Sequence, residues 1–352
     1  MEFSIFLIAP LSGQGPLAEV YEAVMREVRL ADELGFDGLW AAEHHFDSEF
    51  SVSPSPNLFL AAASQITSRI TLGCGINVLP FHRPSRLAEE GAMLDVLSKG
   101  RFQWGIGRGI TGHEFASFGV DPSRSRQIFN ETHDAVVGAW TTGRMDYHGE
   151  FVDVTDTEIT PRVVQTPHPP VWVTAQSPDS VVWAAQHDYP AMQIGESLDD
   201  GRKHLERYRD AARAHGVTTQ RGGIVPLRFV AIADSDDEAD ELAGARSLGF
   251  WEHAARTTAP DSRASLGGHE GKGYEYWRNN NPTRHAALGY EGLKDAGLVI
   301  AGSPDTVIKA IQRQIDALEC SHLMCDFWRP LATQHRERAM RLFATEVMPA
   351  FA

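Results

Sequence analysis

Three polar residues that could transfer protons stand directly after one short apolar run. Glu43, His44 and His45 follow the apolar residues 38–42. An imidazole titrates near neutral pH, so either histidine could serve as an acid or a base. Neighbouring residues of an extended segment point to opposite sides, so at most one of the two histidines easily faces a given site.

Two other interpretations of these residues stay open. The carboxylate and the imidazoles could simply hydrogen-bond to one another at the end of a strand, without a catalytic role. The other alternative is a metal site, which would need several His and Asp ligands that converge from different strand ends. No second histidine pair follows the first predicted strand, so the sequence predicts no metal.

Arginine and hydroxyl side chains at loops and helix starts could bind a phosphate. Arg108 lies in a Gly-Ile-Gly-Arg-Gly segment, where glycines let the backbone approach a ligand and a guanidinium can fork onto a phosphate. Arg124 and Arg126 begin one predicted helix, and Ser177 and Ser180 begin another, where unpaired amides favour an anion. Together they suggest a phosphate cradle, although any one arginine could instead pair with a surface acid.

An aromatic side chain that could bind a flat heterocycle lies further along the chain. Phe250 and Trp251 follow a predicted helix and open a long irregular stretch, 251–300. A tryptophan at the mouth of a site can stack against a planar ring system. The same residue could equally be an anchor at the end of the helix.

These residues need a framework, and the sequence predicts alternating strands and helices. Short apolar runs alternate with amphipathic segments, which is typical of a parallel sheet covered on both faces. Eight strands are predicted at 3–9, 38–42, 70–78, 102–107, 171–175, 191–195, 225–233 and 322–327. Helices are predicted at 20–34, 86–97, 125–140, 198–215, 236–247 and 303–318. This alternation suggests a (β/α)8 TIM barrel, whose active sites lie at the carboxyl ends of the strands.

A doubly wound open sheet would show the same alternation. No G-x-G-x-x-G turn follows the first strand, so the barrel is favoured. No repeat or linker divides the chain, so we expect one barrel domain over 1–352. The stretch 251–300 interrupts the pattern as an insertion, and we expect it to hold an active-site lid from about 267 to 284, because loops this long are usually functional or disordered.

Composition and charge exclude several classes of protein. The 352 residues are 42% hydrophobic and 22% charged, which is typical of a globular protein. With 32 Lys and Arg against 47 Asp and Glu, the net charge of −15 opposes binding to nucleic acids and anionic membranes. No run reaches the roughly 18 apolar residues of a membrane helix, and the first residues lack the bases of a signal peptide. The three cysteines form neither a disulfide framework nor a zinc site, so we expect a cytoplasmic protein.

Longer stretches of the chain resemble the bacterial luciferase family of flavin-dependent monooxygenases, and within it the catalytic chain. The similarity runs nearly from end to end. The matching stretches are Gly35-Phe36-Asp37, Trp40, Glu43-His44-His45-Phe46, Val78-Leu79-Pro80, Leu94-Asp95, Ser98-Lys99-Gly100-Arg101-Phe102, Gly105 to Gly109, Trp183-Ala184-Ala185, Lys272-Gly273-Tyr274 and Val347-Met348-Pro349.

The resemblance implies a luciferase-like barrel and a particular chemistry. It implies that the protein binds reduced FMN (FMNH2) from a separate flavin reductase, reacts it with O2 to a flavin 4a-hydroperoxide, and oxygenates a small, largely apolar organic substrate. The cofactors would then be FMN and O2. The partners would be the substrate, the reductase and a second copy of the chain in a homodimer.

The resemblance also implies roles for residues that bind the phosphate or do chemistry. His44 matches the family's catalytic histidine beside the flavin. The residues that match the family's phosphate ligands are Arg108, Arg126, Ser177 and Ser180.

Further residues match positions around the flavin ring. Gly75 and Ile76 fall where the family has a non-proline cis peptide under the ring, and Trp251 matches an aromatic residue near it. Lys272 and Tyr274 fall in the mobile loop of the active site, and the resemblance implies that they face it once the loop is closed.

The chain departs from the family pattern at two positions. Gly107 replaces the reactive cysteine of luciferase, which predicts open space beside the flavin and argues against a long-chain aldehyde as substrate. Gln176 replaces a glutamate at the phosphate site, and its amide could donate to a phosphate without charge repulsion. Both departures argue against light emission, and neither disturbs the prediction of FMN.

Two rival functions stay open. A deazaflavin-dependent hydride-transfer enzyme of the same superfamily would bind a related ring without activating oxygen, and comparing the affinities of the two flavins would separate it from a monooxygenase. A non-catalytic partner subunit of the same fold is the other rival. The presence of His44 together with Arg108 and the loop residues argues against it.

Overall fold

The strands and helices alternate along most of the chain. A computed structural model describes residues 1–8, 16–218, 222–257, 274 and 282–352. The strands are β1 Glu2–Leu7, β2 Gly38–Ala41, β3 Thr71–Cys74, β4 Asn77–Val78, β5 Phe102–Gly107, β6 Arg144–His148, β7 Asp153–Glu158, β8 Val171–Thr174, β9 Pro190–Ile194, β10 Gly223–Ile232, β11 Val299–Gly302 and β12 His322–Asp326. The helices are α1 Leu17–Leu34, α2 Pro56–Ser64, α3 Pro84–Ser98, α4 Gly112–Phe118, α5 Ser125–Thr142, α6 Pro178–Gln186, α7 Leu198–Ala214, α8 Asp236–Thr257, α9 Pro282–Ala286, α10 Gly289–Asp295, α11 Pro304–Leu318 and α12 Thr333–Leu342.

Eight of the strands close into a parallel barrel, which confirms the predicted (β/α)8 fold. The pairing runs from β12 through β1, β2, β3, β5, β8 and β9 to β10, and β10 returns to β12. In β1, Phe3 stands opposite Leu323 of β12 and Ile5 stands opposite Leu39 of β2. Closure of the barrel brings all the strand ends that carry polar residues to one rim.

Burial on both faces explains the composition of the strands. Every residue of β12 and all but the first of β1 are buried, as expected for parallel strands between a filled barrel interior and an outer layer of helices. The helices are amphipathic, and in α1 the buried Val20, Val24 and Val28 recur at helical spacing. No helix in the part of the chain that the structure describes could span a membrane.

The third predicted strand is interrupted at its middle. Residues 70–78 form two strands, β3 and β4, with Gly75 and Ile76 between them. The peptide bond that joins these two residues is cis, as the resemblance implied. After the interruption, Asn77 pairs with Ile106 of β5, so the chain still runs along the barrel wall.

The prediction that 251–300 is an irregular insertion needs correction. The helix α8 continues to Thr257, ten residues beyond its predicted end, and α9, α10 and β11 follow from 282 onward, so the described parts of this stretch are largely regular. The strand β11 pairs with the outer half of β10, with Val299 opposite Phe229. It holds only four apolar residues, which is too few to stand out in the sequence. Residues 258–273 and 275–281 lie outside the described residues, and so does most of the predicted lid.

Candidate active site

Two adjoining cavities open at the carboxyl ends of the barrel strands. The smaller one, which we call the cradle, has a volume of about 50 Å³ and lies beside the ends of β5 and β8. The larger one, the main cavity, has a volume of about 210 Å³. Both are lined by Gly109, Ile110, Thr174 and Gln176, so the two cavities form a continuous site.

Hydroxyl groups and a helix start form one side of the cradle. Ser177 caps α6, and its Oγ accepts a hydrogen bond from the Ser180 backbone N–H at 3.3 Å. The two hydroxyl oxygens lie 2.8 Å apart. Gln176 also lines the cradle, but its Nε2 donates to the carbonyl of Ile194 at 2.5 Å, so this amide group is held by the barrel.

Arg126 and Arg108 form the cationic side of the cradle. Arg126 lies in the first turn of α5, and its Nη2 is buried without a hydrogen-bond partner among the described residues. Burial and the nearby charge of Arg108 lower the pKa of Arg126 to about 10. Arg124 instead turns outward to an exposed ion pair with Glu150, so its predicted place in the cradle was wrong. The two arginines are two positions apart at the start of the helix, so their side chains point in different directions.

Tyr274, a described residue of the predicted lid, contacts residues that line the cradle. It is buried, and Arg108 Cζ lies 4.5 Å from the centre of its ring. Its hydroxyl lies 2.9 Å from Ser125 Oγ and donates to the carbonyl of Gly109 at 3.2 Å. Lys272 lies outside the described residues.

His44 lines the main cavity, on the opposite side of the chain from His45. Its Nδ1 lies 3.4 Å from Glu114 Oε1, and its ring packs edge-on against Phe50 at 4.6 Å between centroids. Glu114 also accepts a hydrogen bond from the backbone N–H of His45 at 2.8 Å. The carboxylate therefore fixes both the chain and the imidazole at this strand end.

Glu43 is buried beside the same cavity and holds two imidazoles. His82 Nε2 lies 2.9 Å from both carboxylate oxygens, and His45 Nε2 lies 3.1 Å from Oε1. Burial opposes the charge of Glu43, but the hydrogen bonds from His45 and His82 outweigh it and lower the pKa of Glu43 to about 2. The interpretation as a hydrogen-bonded cluster at the strand end therefore holds for Glu43 and His45. His44 instead faces the cavity.

Gly107 lines the cradle, next to Ile76 and Thr174 of the main cavity. A Cβ at this position would lie 2.0 Å from Ile76 Cδ1 and 2.5 Å from Thr174 Oγ1. Neighbouring side chains already fill the place that a residue at 107 would use. The prediction that Gly107 leaves open space beside the flavin was therefore wrong, because the sequence does not reveal which neighbours fill that place.

Trp251 borders the main cavity from inside α8, not from the start of a loop as predicted. Its ring lies 5.7 Å from that of Phe229, nearly parallel, and 4.7 Å from that of His285. The residue is buried and lines the cavity together with Phe250. Its predicted place at a site is therefore consistent with the structure, whereas its predicted place in a loop is not.

Several residues of the main cavity were not predicted. Glu196 and Arg329 follow β9 and β12, so inspection of every strand end would have found them. Glu114 and His285 lie on helices, where no spacing signal marks them. Within the described ranges, no group of three or more His, Cys, Asp or Glu side chains could hold a metal ion.

A (β/α)8 barrel with a small cationic pocket beside a larger apolar cavity, both at the carboxyl ends of the strands, has the layout of a barrel enzyme. The chain belongs to the luciferase-like monooxygenase family, whose sequence model matches residues 1–318. This confirms the resemblance, and the chain is thereby an enzyme of the flavin-dependent monooxygenase class.

Two curated relatives are similar over nearly the whole chain. The alkanal monooxygenase alpha chain of Photorhabdus luminescens is 29% identical over 359 residues, which cover 99% of this chain and 96% of the relative. The oxygenase component of the flavin-dependent trigonelline monooxygenase of Acinetobacter baylyi is 28% identical over 371 residues, which cover 100% and 96%.

Solved structures share the fold over the same extent. The monooxygenase RslO1 from Streptomyces bottropensis superposes with a TM-score of 0.82 at 28% identity and 100% coverage of both chains. The oxygenating constituent of 3,6-diketocamphane monooxygenase from Pseudomonas putida, in complex with FMN, gives 0.79 at 21% identity, with 99% and 98% coverage. A coenzyme F420-dependent tetrahydromethanopterin reductase from Methanopyrus kandleri gives 0.75 at 20% identity, with 100% and 99% coverage.

Proposed function

We propose that the chain is the oxygenase component of a two-component monooxygenase that uses FMNH2 and O2. It would place one oxygen atom in a small, largely apolar organic substrate. The observation that carries this proposal is the cradle, where the buried Arg126 Nη2 has no partner in the described part of the chain. A phosphate there would accept from Arg126, at about 1.5 to 3 kcal/mol for a hydrogen bond of a charged group.

The rest of the cradle supports a phosphate in the same way. Arg108 lines it, and the start of α6 adds the partial positive charge of its free amides. Ser177 and Ser180 bring hydroxyl groups that can turn toward a ligand, since each now shares its hydrogen bond with the other. A ligand that combines a phosphate with an apolar ring system suits a small polar pocket that opens into a larger apolar one.

The ring would lie in the main cavity, beside Ile76 and Trp251. Reduced FMN, when bound there, supplies the reaction with O2 and the oxygen atom for the substrate. The chain itself would position the ring, exclude water and exchange protons. We assign the proton exchange to His44, since Nδ1 is directed at Glu114 and Nε2 is then the nitrogen left for the reacting groups.

Tyr274 would shield the bound phosphate from water. It is buried, it lies under the guanidinium of Arg108, and it bonds to Ser125 at the start of α5. Shielding of the phosphate is one part of the predicted lid function, and it can be proposed here because the structure describes Tyr274.

A second copy of the chain and a reductase are the proposed partners. Leu58 on α2 and Met93 on α3 are large apolar residues with 74% and 55% of their surface exposed. The two helices are neighbours, joined by a hydrogen bond from Asn57 to Glu90, and we take Leu58 and Met93 together as one exposed face. We infer that this face forms the homodimer, because exposed apolar patches usually mark interfaces. The buried free cysteines suit a reducing cytoplasm.

Turnover with labelled oxygen tests the proposed function. Purified protein, a separate NADH-dependent flavin reductase, FMN and ¹⁸O2 are incubated with a panel of small cyclic and aromatic compounds. We expect one ¹⁸O atom per product molecule, and no product without the reductase. Hydride transfer from a reduced deazaflavin without incorporation of oxygen would instead support the rival enzyme. If the protein shows neither oxygen incorporation nor hydride transfer, the result would support a non-catalytic subunit.

A further inference from the structure

A tyrosine near the cradle is hydrogen-bonded to a buried histidine. The hydroxyl of Tyr189, which directly precedes β9, lies 3.1 Å from Nε2 of His133 on α5. The other ring nitrogen, Nδ1, lies 2.8 Å from Oδ1 of Asp134. A carboxylate accepts hydrogen bonds but cannot donate one, so Nδ1 carries the proton and Nε2 accepts from the tyrosine hydroxyl. We call these three residues the tyrosine site.

Burial keeps the phenol and the imidazole of this site uncharged at neutral pH. It lowers the pKa of His133 despite the opposing hydrogen bond with Asp134. It also raises the pKa of Tyr189 to about 12, and the charge of Asp134 adds to this effect. A neutral phenol becomes easier to oxidise when its proton can leave together with the electron. The tyrosine site provides that path, because Nε2 of His133 is an unprotonated base at hydrogen-bond distance from the hydroxyl.

Trp183 connects the tyrosine site with the cradle. It lines the cradle from α6, and its ring centre lies 5.0 Å from that of His133 and 5.9 Å from that of Tyr189. Tryptophan and tyrosine are the aromatic side chains that lose one electron most easily, and rings packed at these distances exchange electrons quickly. The cradle is continuous with the main cavity, so an oxidant there can draw an electron from Tyr189 by way of Trp183.

Tyr189 also lines a third cavity, at the other end of the barrel. This lower cavity has a volume of about 840 Å³, and the first residues of several strands line it, among them Glu2, Val171 and His322. Exposed side chains such as Glu2 and Glu319 are part of the lining, so the lower cavity is open to solvent. A small reductant such as a thiol can therefore reach Tyr189 without passing through the cradle.

We propose that Tyr189 is a redox-active residue that quenches oxygen-centred radicals formed in the cofactor site, by which we mean the cradle and the main cavity together. An enzyme that activates O2 forms such radicals when oxygenation of the substrate fails. The inference rests on the proposed function in this one respect. The chain carries the electron, and the reductant is a thiol that enters the lower cavity from solution.

Each electron and proton of this reaction has a defined destination. A radical RO• in the cofactor site takes one electron from Trp183, which Tyr189 replaces, and the resulting RO⁻ takes a proton from water to form ROH. The hydroxyl of Tyr189 passes its proton to Nε2 of His133 in the same step. A thiol R′SH in the lower cavity then transfers a hydrogen atom to the Tyr189 oxygen, and His133 releases its proton to water. The net reaction converts RO• and R′SH to ROH and R′S•, and two R′S• radicals combine to a disulfide.

Oxidation of the protein without any flavin tests the tyrosine site itself. Azide radicals from pulse radiolysis oxidise tryptophan side chains of the whole protein, and absorbance then follows the transfer of the oxidation from tryptophan to tyrosine. We expect a fast transfer in the wild type that is absent in Tyr189→Phe. Tyr290→Phe is the matched control, because the Tyr290 hydroxyl donates to a carboxylate, Asp240 Oδ1 at 2.8 Å, and its loss should leave the fast transfer unchanged.

His133→Gln tests the proton acceptor. Glutamine can keep a hydrogen bond with the Tyr189 hydroxyl, but its amide cannot take up the proton. We expect the fast transfer to slow by about a hundredfold, since a positioned base contributes about 10² to 10⁴. The transfer in the wild type should also be slower in D2O than in H2O, a signature that a merely structural contact does not produce. His133→Phe serves as a second variant, should the glutamine variant fold poorly.

Blue light on the FMN-bound protein tests the connection with the cradle. Photo-excited oxidised FMN is itself a one-electron oxidant, and EPR detects tyrosyl radicals in samples frozen after illumination. We expect a tyrosyl radical in the wild type and much less of it in Trp183→Phe at saturating FMN. Trp140→Phe is the control, because this buried tryptophan donates to the carbonyl of Ala88 at 2.8 Å and does not line the cradle.

Several results would overturn the inference. Among them are a fast transfer that survives in Tyr189→Phe, unchanged rates in both His133 variants, no isotope effect, and an equal yield of tyrosyl radical in Trp183→Phe. If the fast transfer depends on Tyr189 and His133 but the protein does not bind FMN, the proposed function fails and the redox-active tyrosine stands. If FMN binds and supports incorporation of ¹⁸O while no transfer to Tyr189 is seen, the inference fails and the proposed function stands.

Discussion

The two cavities differ in how their cationic groups are balanced. In the main cavity the polar side chains lie beside carboxylates, with the His44 imidazole 3.4 Å from Glu114 and the Arg329 guanidinium 2.9 Å from Asp326. In the cradle, no ion pair is found for Arg126 in the described ranges, and its Nη2 lacks a hydrogen-bond partner there. A buried guanidinium without a counter-charge is costly for the fold.

Charges that stabilise the protein and charges that serve a ligand can therefore be told apart. Groups balanced within the chain can hold side chains in place before any ligand binds. A group that is not balanced within the chain needs a partner from outside, and an anion is the partner that a guanidinium prefers. The cradle is therefore the part of the site where a ligand's charge matters most.

The largest expected effect is the loss of product formation when His44, which lines the main cavity, is replaced. We expect His44→Ala to lower product formation by about a hundredfold or more, because general acid–base catalysis contributes about 10² to 10⁴. FMN affinity should stay within about twofold, since His44 does not line the cradle. Product and hydrogen peroxide are measured with a substrate that the wild type oxygenates. His148→Ala, an exposed histidine on the β6–β7 hairpin, is the matched control. Near-normal product from His44→Ala would contradict the assignment.

A side chain at position 107, beside the cradle, should destabilise the fold. Gly107→Ala places a Cβ against Ile76 and Thr174, and overpacking of this kind costs about 1 to 3 kcal/mol. We expect that loss in the free energy of unfolding, measured by urea denaturation. In the double variant Gly107→Ala, Ile76→Ala, part of it should be recovered, because the nearest clashing atom is gone. An equal loss in both variants would show that Ile76 is not the obstacle.

The phenol of Tyr274 should have a smaller effect, confined to the cradle. Tyr274→Phe removes the hydrogen bonds with Ser125 and Gly109 but keeps the ring under Arg108. A hydrogen bond of this kind contributes about 0.5 to 1.5 kcal/mol, so FMN affinity should fall by no more than about tenfold. Tyr274→Ala should weaken binding further. Fluorescence titration with FMN measures both variants, and identical affinities in wild type and Tyr274→Ala would exclude a shielding role.

The smallest expected effect is a pH dependence of stability from the Glu43 cluster. Burial opposes the charge of His82, but the hydrogen bond with Glu43 outweighs it and raises the pKa of His82 above 6.5. The stabilisation by His82 is therefore fully present below about pH 6.5 and is lost as pH rises through the higher folded value.

The measurement compares thermal stability at several pH values. The difference in Tm between wild type and His82→Gln should be larger at pH 6 than at pH 9. In a Glu43→Gln background the same substitution should show no such dependence. A difference that grows with pH would reverse the sign and reject the ion pair.

The sequence was sufficient for the barrel but only partly for the site. Apolar runs buried on both faces predict the eight strands, and Arg126, Ser177 and Ser180 stand at helix starts that the alternation locates. The cradle could be predicted because helix starts and hydroxyl residues are local features. Glu114 could not be predicted, because it lies on a helix and its partner His44 is 70 positions away in sequence. Arg329 follows the last barrel strand and could have been found there. The polar β6–β7 hairpin escaped prediction because its residues are mostly exposed and show no apolar pattern.

Comparison of the affinities for FMN and riboflavin tests whether the cradle binds a phosphate. The two ligands differ by the phosphate, so their dissociation constants are measured for the wild type, Arg126→Gln and the control Arg124→Gln, whose arginine pairs with Glu150 at the surface. We expect the wild type to prefer FMN by at least about tenfold, and Arg126→Gln to lose about tenfold to a hundredfold in FMN affinity with riboflavin unchanged. Arg124→Gln should behave as the wild type. Equal affinity of the wild type for FMN and riboflavin would contradict the cradle as a phosphate site.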